Sequence, residues 1–242
     1  MRAMVLAAGL GTRLRPLTDT RPKALVEVGG RTLLQIVLER LRGFGVGEVI
    51  VNVHHFAGMI VEHLETHHNF GMRVEVSHEP NLLDTGGGLR KAAWFFLDDP
   101  DRRDEPFLLH NVDVISTIDL ARMRQFHLEQ QALATLAVQE RRTSRYLLFD
   151  RRGELCGKAG TGGRSELVRP ADDPGPLGFC GIHVISPRLL ETMTREGAFS
   201  IIDAYLELAA RDRRILAFRA DGCSWRDLGD PASLALAEKE WS

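Results

Sequence analysis

The 242-residue chain is long enough to bury about 70–75% of the surface its unfolded form exposes, so it needs no disulfide or metal staple. Its 44% hydrophobic and 26% charged residues are those of an ordinary globular protein, and a net charge of -2 argues against nucleic acid or an anionic membrane as partner. Cys156, Cys180 and Cys223 are odd in number, widely spaced and without a C-x-x-C pair, which excludes a disulfide framework and points to a reducing compartment.

The first element is a short apolar run, Met4 to Ala8, which reads as a buried strand and opens directly into Gly9-Leu10-Gly11-Thr12-Arg13. Two glycines there suit either a tight turn or a loop whose bare amides cradle an anion. Six Lys or Arg stand between Arg2 and Arg31 against only Asp19 and Glu27, a local positive pole that favours a polyphosphate. Leu14 replaces the third glycine of a dinucleotide fingerprint, and Pro16 and Pro22 interrupt the helix that fingerprint needs. The G-x-x-x-x-G-K-[ST] pattern of a P-loop is absent.

Ala24 to Val28 reads as extended, Gly29-Gly30 as a turn, and Thr32 as the N-cap of a helix that stops at Gly43. Glu48 to Val53 is a second strand, Gly58 to His68 a helix and Arg73 to Ser77 a third strand. This alternation specifies a parallel sheet with right-handed crossovers. His63 and His67, four apart, are either a metal pair or exposed residues of a surface helix; Leu64 rules out H-E-x-x-H. Gly86, Gly87 and Gly88 put bare backbone at a helix N-terminus, for an anion, a flat ring or close helix–strand packing.

Pro106 to Ile115 reads as one buried strand carrying Asn111 and Asp113 at its carboxyl end, where parallel sheets bind ligands. A buried carboxylate there must be paired or metal-bound. Asp119 to Gln130 is a helix and Leu133 to Gln139 a strand. Tyr146 to Phe149 and Glu154 to Lys158 flank Asp150-Arg151-Arg152-Gly153 as a hairpin. Residues 159–176, rich in glycine and proline, read as a long irregular loop of the lid or binding type. Phe179 to Ser186 is a strand, Pro187 starts a helix, and an amphipathic helix (200–210) and a strand (215–218) precede Trp225-Arg226-Asp227-Leu228-Gly229-Asp230-Pro231.

Taken whole, Leu6-Ala7-Ala8-Gly9-x-Gly11-Thr12-Arg13-Leu14-x-Pro16-Leu17-Thr18-x-x-x-Pro22-Lys23 resembles the signature of the sugar-1-phosphate nucleotidyltransferases, or NDP-sugar pyrophosphorylases. The resemblance implies an α/β, Rossmann-like nucleotidyltransferase fold. Its central sheet is mixed and mostly parallel, with helices on both faces and a small β-rich sugar-binding portion. One unit spans 1–242, with a nucleotide-binding half (1–140) and a sugar-phosphate half (141–242). The implied reaction joins an NTP to a sugar 1-phosphate with Mg2+, giving an NDP-sugar and pyrophosphate. The cysteine pattern and the lack of a leader-like or membrane-length apolar run lead us to expect a cytoplasmic protein, a monomer or small homo-oligomer.

By the same resemblance Arg13 and Lys23 are catalytic, and Leu6, Ala7, Ala8, Gly9, Gly11, Thr12, Glu79, Thr85, Gly86 and Gly87 join Arg13 in binding the nucleotide. Asp113 and Asp227 are metal ligands, the latter from a Trp-x-Asp-x-Gly turn; Asn111 and Arg169 meet the sugar phosphate. The family's lysine in E-K-P is matched only by Arg169 in Val168-Arg169-Pro170, and Leu147 and Val112 replace family glycines. The compact branch acting on N-acetylmuramic acid 1-phosphate diverges similarly, so a uridine or thymidine nucleotide is expected rather than a purine, and no appended β-helix. Two alternatives share these parts: a non-catalytic NDP-sugar sensor, and a cytidylyltransferase for a phosphorylated alcohol such as phosphocholine.

Overall fold

The computed structural model describes residues 1–160 and 165–241. Strand β1 (Arg2–Leu6) is buried on both faces: Ala3 and Val5 enter one core layer, Met4 and Leu6 the other. An unbroken apolar run of this kind is what a central strand between two helical layers requires. Two 3-10 turns (Thr12–Leu14 and Lys23–Leu25) and a small hairpin of β2 (Glu27–Val28) and β3 (Arg31–Thr32) follow. Helix α1 (Leu33–Gly43) begins at Thr32, whose hydroxyl accepts from the Gln35 amide at 3.1 Å. Strand β4 (Glu48–Val53), α2 (Ala57–Thr66), β5 (Arg73–His78), α3 (Asp84–Lys91) and α4 (Trp94–Leu97) complete the alternation.

The strand expected over 106–115 is broken. Strand β6 (Phe107–Asn111) stops at a turn formed by Val112 and Asp113, and β7 (Val114–Ser116) leaves to pair elsewhere. Helix α5 (Leu120–Glu129) and β8 (Ala134–Gln139) follow. The Asp150 amide donates to the Glu154 carbonyl at 2.9 Å, closing the hairpin of β9 (Arg145–Phe149) and β10 (Leu155–Gly160). Much of the loop expected over 159–176 is strand instead: β10 runs to Gly160, β11 (Ser165–Leu167) pairs with it, and β12 (Gly175–Ile185) already begins at Gly175. Residues 161–164 of that loop lie outside the described residues. Helices α6 (Arg188–Thr192) and α7 (Ile201–Ala209), strands β13 (Ile215–Arg219) and β14 (Trp225–Asp227), and α8 (Pro231–Trp241) end the chain.

Among the described residues one ten-stranded sheet runs in the order β11-β10-β9-β12-β6-β1-β4-β5, with β8 joining β12 and β13. The segment β6-β1-β4-β5 is parallel, as are β8 and β13, and β12 enters antiparallel to β6, β8 and β9. Helices α1 and α5 fill one face; α3, α4 and α7 fill the other. The carboxyl ends of β1, β4 and β6 therefore open side by side, at the crevice where such sheets hold ligands.

His63 bonds the Thr32 hydroxyl at 3.0 Å, and His67 Nδ1 lies 2.7 Å from its own helix's His63 carbonyl. Among the described residues no three His, Cys, Asp or Glu side chains converge as a metal cluster; His63 is half-buried on α2, and His67 is exposed just past its last residue. No helix of the described residues is long and apolar enough to cross a membrane, and all three cysteines are free thiols.

Candidate active site

The loop after β1 is shaped by Gly11, at φ 63°, where a Cβ would lie 2.9 Å from the Thr18 methyl and 3.0 Å from Lys23 Cβ. Only glycine adopts that turn with so little room. Thr18 Oγ1 fastens the loop by donating to the Gly11 carbonyl at 2.9 Å. The Gly9, Leu10 and Gly11 amides meet no acceptor among the described residues, so the loop presents donors outward. Behind it, the Ala7 amide donates to Asn52 Oδ1 at 2.7 Å, and the Val112 amide to the Leu6 carbonyl at 3.1 Å. The ends of β1, β4 and β6 are stitched into one floor.

Lys23 is buried: only 8% of it is exposed, and Nζ donates to Asp113 Oδ2. The turn that breaks β6 from β7 is what aims Asp113 at it. Strand β14 then pairs with β7, Asp227 opposite Val114, and the Leu228 amide donates to the Asp113 carbonyl at 2.8 Å. Two aspartates far apart in sequence are thereby tied together through adjacent backbone. Asp227 Oδ1 is buried without a hydrogen-bond partner. Burial raises the Asp227 carboxyl above its ordinary value, the Asp113 charge raises it further, and Lys23 and Arg13 pull it back. Two hard oxygen donors that repel each other, one of them orphaned, suit a divalent cation.

Gly229 explains how Arg13 reaches the same spot. A Cβ there would sit 2.6 Å from Asp227 Oδ1 and 3.0 Å from Arg13 Cζ, with Arg13 Nη2 closer still. The guanidinium and the orphaned carboxylate thus share the space over a bare Cα.

Two cavities meet here. The first, about 460 Å³, is lined among others by Leu6, Ala8, Gly9, Gly11, Thr12, Arg13, Lys23, Asn111 and Asp113. The second, about 1190 Å³, lies under β9–β12 and includes Asp227, Trp225, Arg141 and Lys158. Arg13, Asp84, Thr85 and Asn111 line both and mark the seam. The basic loop, Asn111 and both aspartates come together here.

Four expected contacts lie elsewhere, and Ala7 contributes only its amide to the floor. Glu79 is fully buried; its carboxylate accepts from Asn52 Nδ2 at 2.7 Å and the Leu83 amide at 3.0 Å, and it lines neither cavity. Gly86 and Gly87 turn their amides to the Phe199 carbonyl at 2.9 and 3.3 Å, so their bareness serves close packing. A Cβ on Gly86 would fall 2.5 Å from Phe199 Cδ2 and closer still to Cε2. Arg169 is held by Asp150 at 2.8 Å and Glu154 at 3.2 Å and lines neither cavity; Lys158 does line the second. The sequence reading missed Asn52, Asp84 and Gly229. Asn52, a lone amide at the carboxyl end of the β-branched run Val49-Ile50-Val51, was the available signal.

A glycine loop at the carboxyl end of a parallel sheet, with lysine, arginine and two aspartates at its rim, defines a nucleotidyl-transferring class of protein, and comparison agrees. Residues 2–150 match the nucleotidyl transferase family, and the chain belongs to it. It is 34% identical to the N-acetylmuramate alpha-1-phosphate uridylyltransferase of Caulobacter vibrioides, over 98% of this chain and 95% of that one. It is 30% identical to a mannose-1-phosphate guanyltransferase of Yarrowia lipolytica over 96% of this chain, spanning 61% of that longer protein. Among solved structures it resembles a UDP-glucose pyrophosphorylase from Acinetobacter baumanii with TM-score 0.79 at 18% identity, covering 99% of this chain and 92% of the other, a likeness of fold.

Proposed function

We propose that the chain transfers a uridylyl group from UTP to an acidic hexosamine 1-phosphate, N-acetylmuramic acid 1-phosphate, in the presence of Mg2+. The observation that carries this reading is the meeting of Lys23, Arg13, Asp113 and Asp227 at the seam of two cavities, one floored by the β1 loop and one under the β-rich half. The full-length likeness to a uridylyltransferase of the same size supports the choice of base and sugar.

In this mechanism an oxygen of the sugar phosphate attacks the α-phosphorus of UTP. The new phosphorus–oxygen bond forms as the bond to the bridging oxygen of pyrophosphate breaks, and that oxygen keeps the electron pair. The attacking phosphate is already anionic at neutral pH, so no general base is needed. Lys23 neutralises the α-phosphate. Arg13 and the outward amides of Gly9 and Gly11 hold the departing pyrophosphate. Asp113 and Asp227 are the residues that would hold Mg2+, which supplies charge neutralisation at the phosphates when bound. Asn111 and Thr85, at the seam, orient the two substrates against each other.

The test pairs each of four NTPs with glucose 1-phosphate, N-acetylglucosamine 1-phosphate, N-acetylmuramic acid 1-phosphate and phosphocholine, read by pyrophosphate release with and without Mg2+. UTP with the muramic acid phosphate should be the best pair. A guanine nucleotide turned over tenfold better than UTP would refute the base, and turnover unchanged in chelator would refute the metal.

A further inference from the structure

One side chain in the second cavity has a setting that nucleotidyl transfer itself does not use. Arg141 follows β8, and its Cζ lies 3.9 Å from the centre of the Trp225 ring, a stacked cation–π pair. On its other side Gly178 leaves the space: a Cβ there would be 2.9 Å from Arg141 Cγ and 3.0 Å from its Cζ and Nε. One amino group is anchored, Nη2 donating to the Phe179 carbonyl at 2.7 Å. Trp225 is fixed in turn, its indole N–H donating to the Cys180 carbonyl at 2.8 Å. Nε is buried without a hydrogen-bond partner, the guanidinium's other close neighbour is the Cys180 thiol, and no carboxylate forms an ion pair with Arg141 among the described residues. In contrast Lys158, on the same wall, is held between Glu166 at 3.5 Å and Asp203 at 3.8 Å.

A half-buried guanidinium held flat and left without a counter-ion is a poor way to stabilise a fold, because the charge loses hydration and gains little in return. It is a good receptor for a planar anion, since the fork is pre-organised and little side-chain freedom is lost on binding. Its position sets the scale. Trp225 and Asp227 are two residues apart on β14, so they share a face, and both line the cavity. Two residues of strand span roughly 7 Å. That is about the reach from the anomeric phosphate of a pyranose to an acid group carried across the ring.

We propose that Arg141, stacked on Trp225, binds a carboxylate borne by the sugar of the acceptor and so selects acidic over neutral sugar 1-phosphates. This rests on the uridylyltransferase reading above, and deepens it by assigning the recognition of the acid to one residue. In N-acetylmuramic acid the group concerned is the lactyl ether on C3, whose carboxylate meets the guanidinium while its methyl lies on the Trp225 and Phe179 wall.

The experiment compares kcat/KM for N-acetylmuramic acid 1-phosphate and N-acetylglucosamine 1-phosphate, which differ only in the lactyl arm. The unaltered protein, Arg141→Gln and Arg141→Lys are measured alongside their melting temperatures. Arg141→Gln should lose about 10- to 100-fold on the acid sugar, the scale of a charge-assisted hydrogen bond, and less than about twofold on the neutral one. Arg141→Lys should fall between, keeping the charge without the fork. Equal losses on both sugars, or none, overturn the assignment of Arg141 while leaving the uridylyltransferase reading intact. An unaltered protein that prefers the neutral sugar overturns the acceptor reading and this inference with it. Should the variants not fold, the unaltered protein still decides. Free N-acetylmuramic acid must inhibit at least tenfold better than N-acetylglucosamine, and equal inhibition refutes the carboxylate subsite.

Discussion

Adding a single methyl group at Gly229 separates positioning from stability. The Cβ of Gly229→Ala would start 2.6 Å from Asp227 Oδ1 and 3.0 Å from Arg13 Cζ, with Arg13 Nη2 closer than either, whereas ordinary contact begins at 3.4 Å. The carboxylate oxygen must retreat by nearly 1 Å, and the guanidinium by at least as much at its tip. Gly229 is not among the residues with positive φ, so alanine brings no backbone strain. Both displaced groups are ends of side chains beside an open cavity, so they can move at small cost in fold stability. The catalytic cost is different in kind: a misplacement of about 1 Å in a pre-organised site is worth about 10²-fold in rate, or about 2.7 kcal/mol of barrier. Pyrophosphate release should therefore fall about a hundredfold in kcat/KM while the melting temperature stays within about 2 °C. Gly87→Ala is the contrasting control, since its Cβ would meet the Gly197 backbone carbonyl and Leu83 Cβ at 3.0 Å, and it should lower the melting temperature sharply. A Gly229→Ala protein of full activity, or one whose activity falls only as its stability falls, would refute the placement of Arg13 and Asp227 at the reacting phosphates.

Lys23→Ala should cost both rate and stability, because it leaves Asp113 four-fifths buried without its cation. A loss on the order of 2 kcal/mol in urea unfolding without divalent ions is expected, and Lys23→Arg should not restore turnover, a planar fork replacing a point charge. Asp113→Asn and Asp227→Asn should each lower kcat by about 10²-fold or more, with the double variant scarcely worse than the poorer single one, as for residues acting as a unit; multiplying losses would show independent roles. Acid should destabilise the protein through its buried histidines. Desolvation pulls His110 and His127 down to about 4 and His183 to about 3. The unfolded chain then binds more protons than the folded one below about pH 6.5, so stability is complete above that pH and is lost as pH falls toward 4. Each histidine contributes on the order of 1 kcal/mol per pH unit in that window. A melting temperature flat between pH 7 and 5 would contradict this.

The parallel half was legible because β1 and β4 are apolar on both faces, a pattern few other settings produce. The basic loop was legible because a glycine pair followed by Arg13 and Lys23 is a long and specific string. Three glycines in a row, by contrast, say only that something comes close. The partner of Gly86 and Gly87 is Phe199, more than a hundred residues onward, and local sequence holds no trace of that distance. Glu79 misled for a related reason: a carboxylate near a site reads as a ligand contact until its two oxygens are seen to be spent on Asn52 and Leu83. Arg169 sits beside the expected proline but faces Asp150 and Glu154, which the hairpin brings round to it. The break at Val112-Asp113 was hidden because both flanking strands are apolar, and only the pairing of β7 with β14 reveals two strands.

Strand β12 has different neighbours at its two ends. Gly175–Leu177 lie against β9, whereas Ile182–Ile185 lie against β6, and the pairing with β8 shifts register between Phe179 and His183. The hairpins β9–β11 thus join the ladder of β1, β4 and β6 through β12, and a second tie runs from Gly153 and Glu154 to Leu216 and Ala217 of β13. Replacements in β9 to β11 reshape one wall of the second cavity, where Tyr146, Leu147 and Lys158 stand, and leave the residues of the β1 loop, Asp113 and Asp227 untouched.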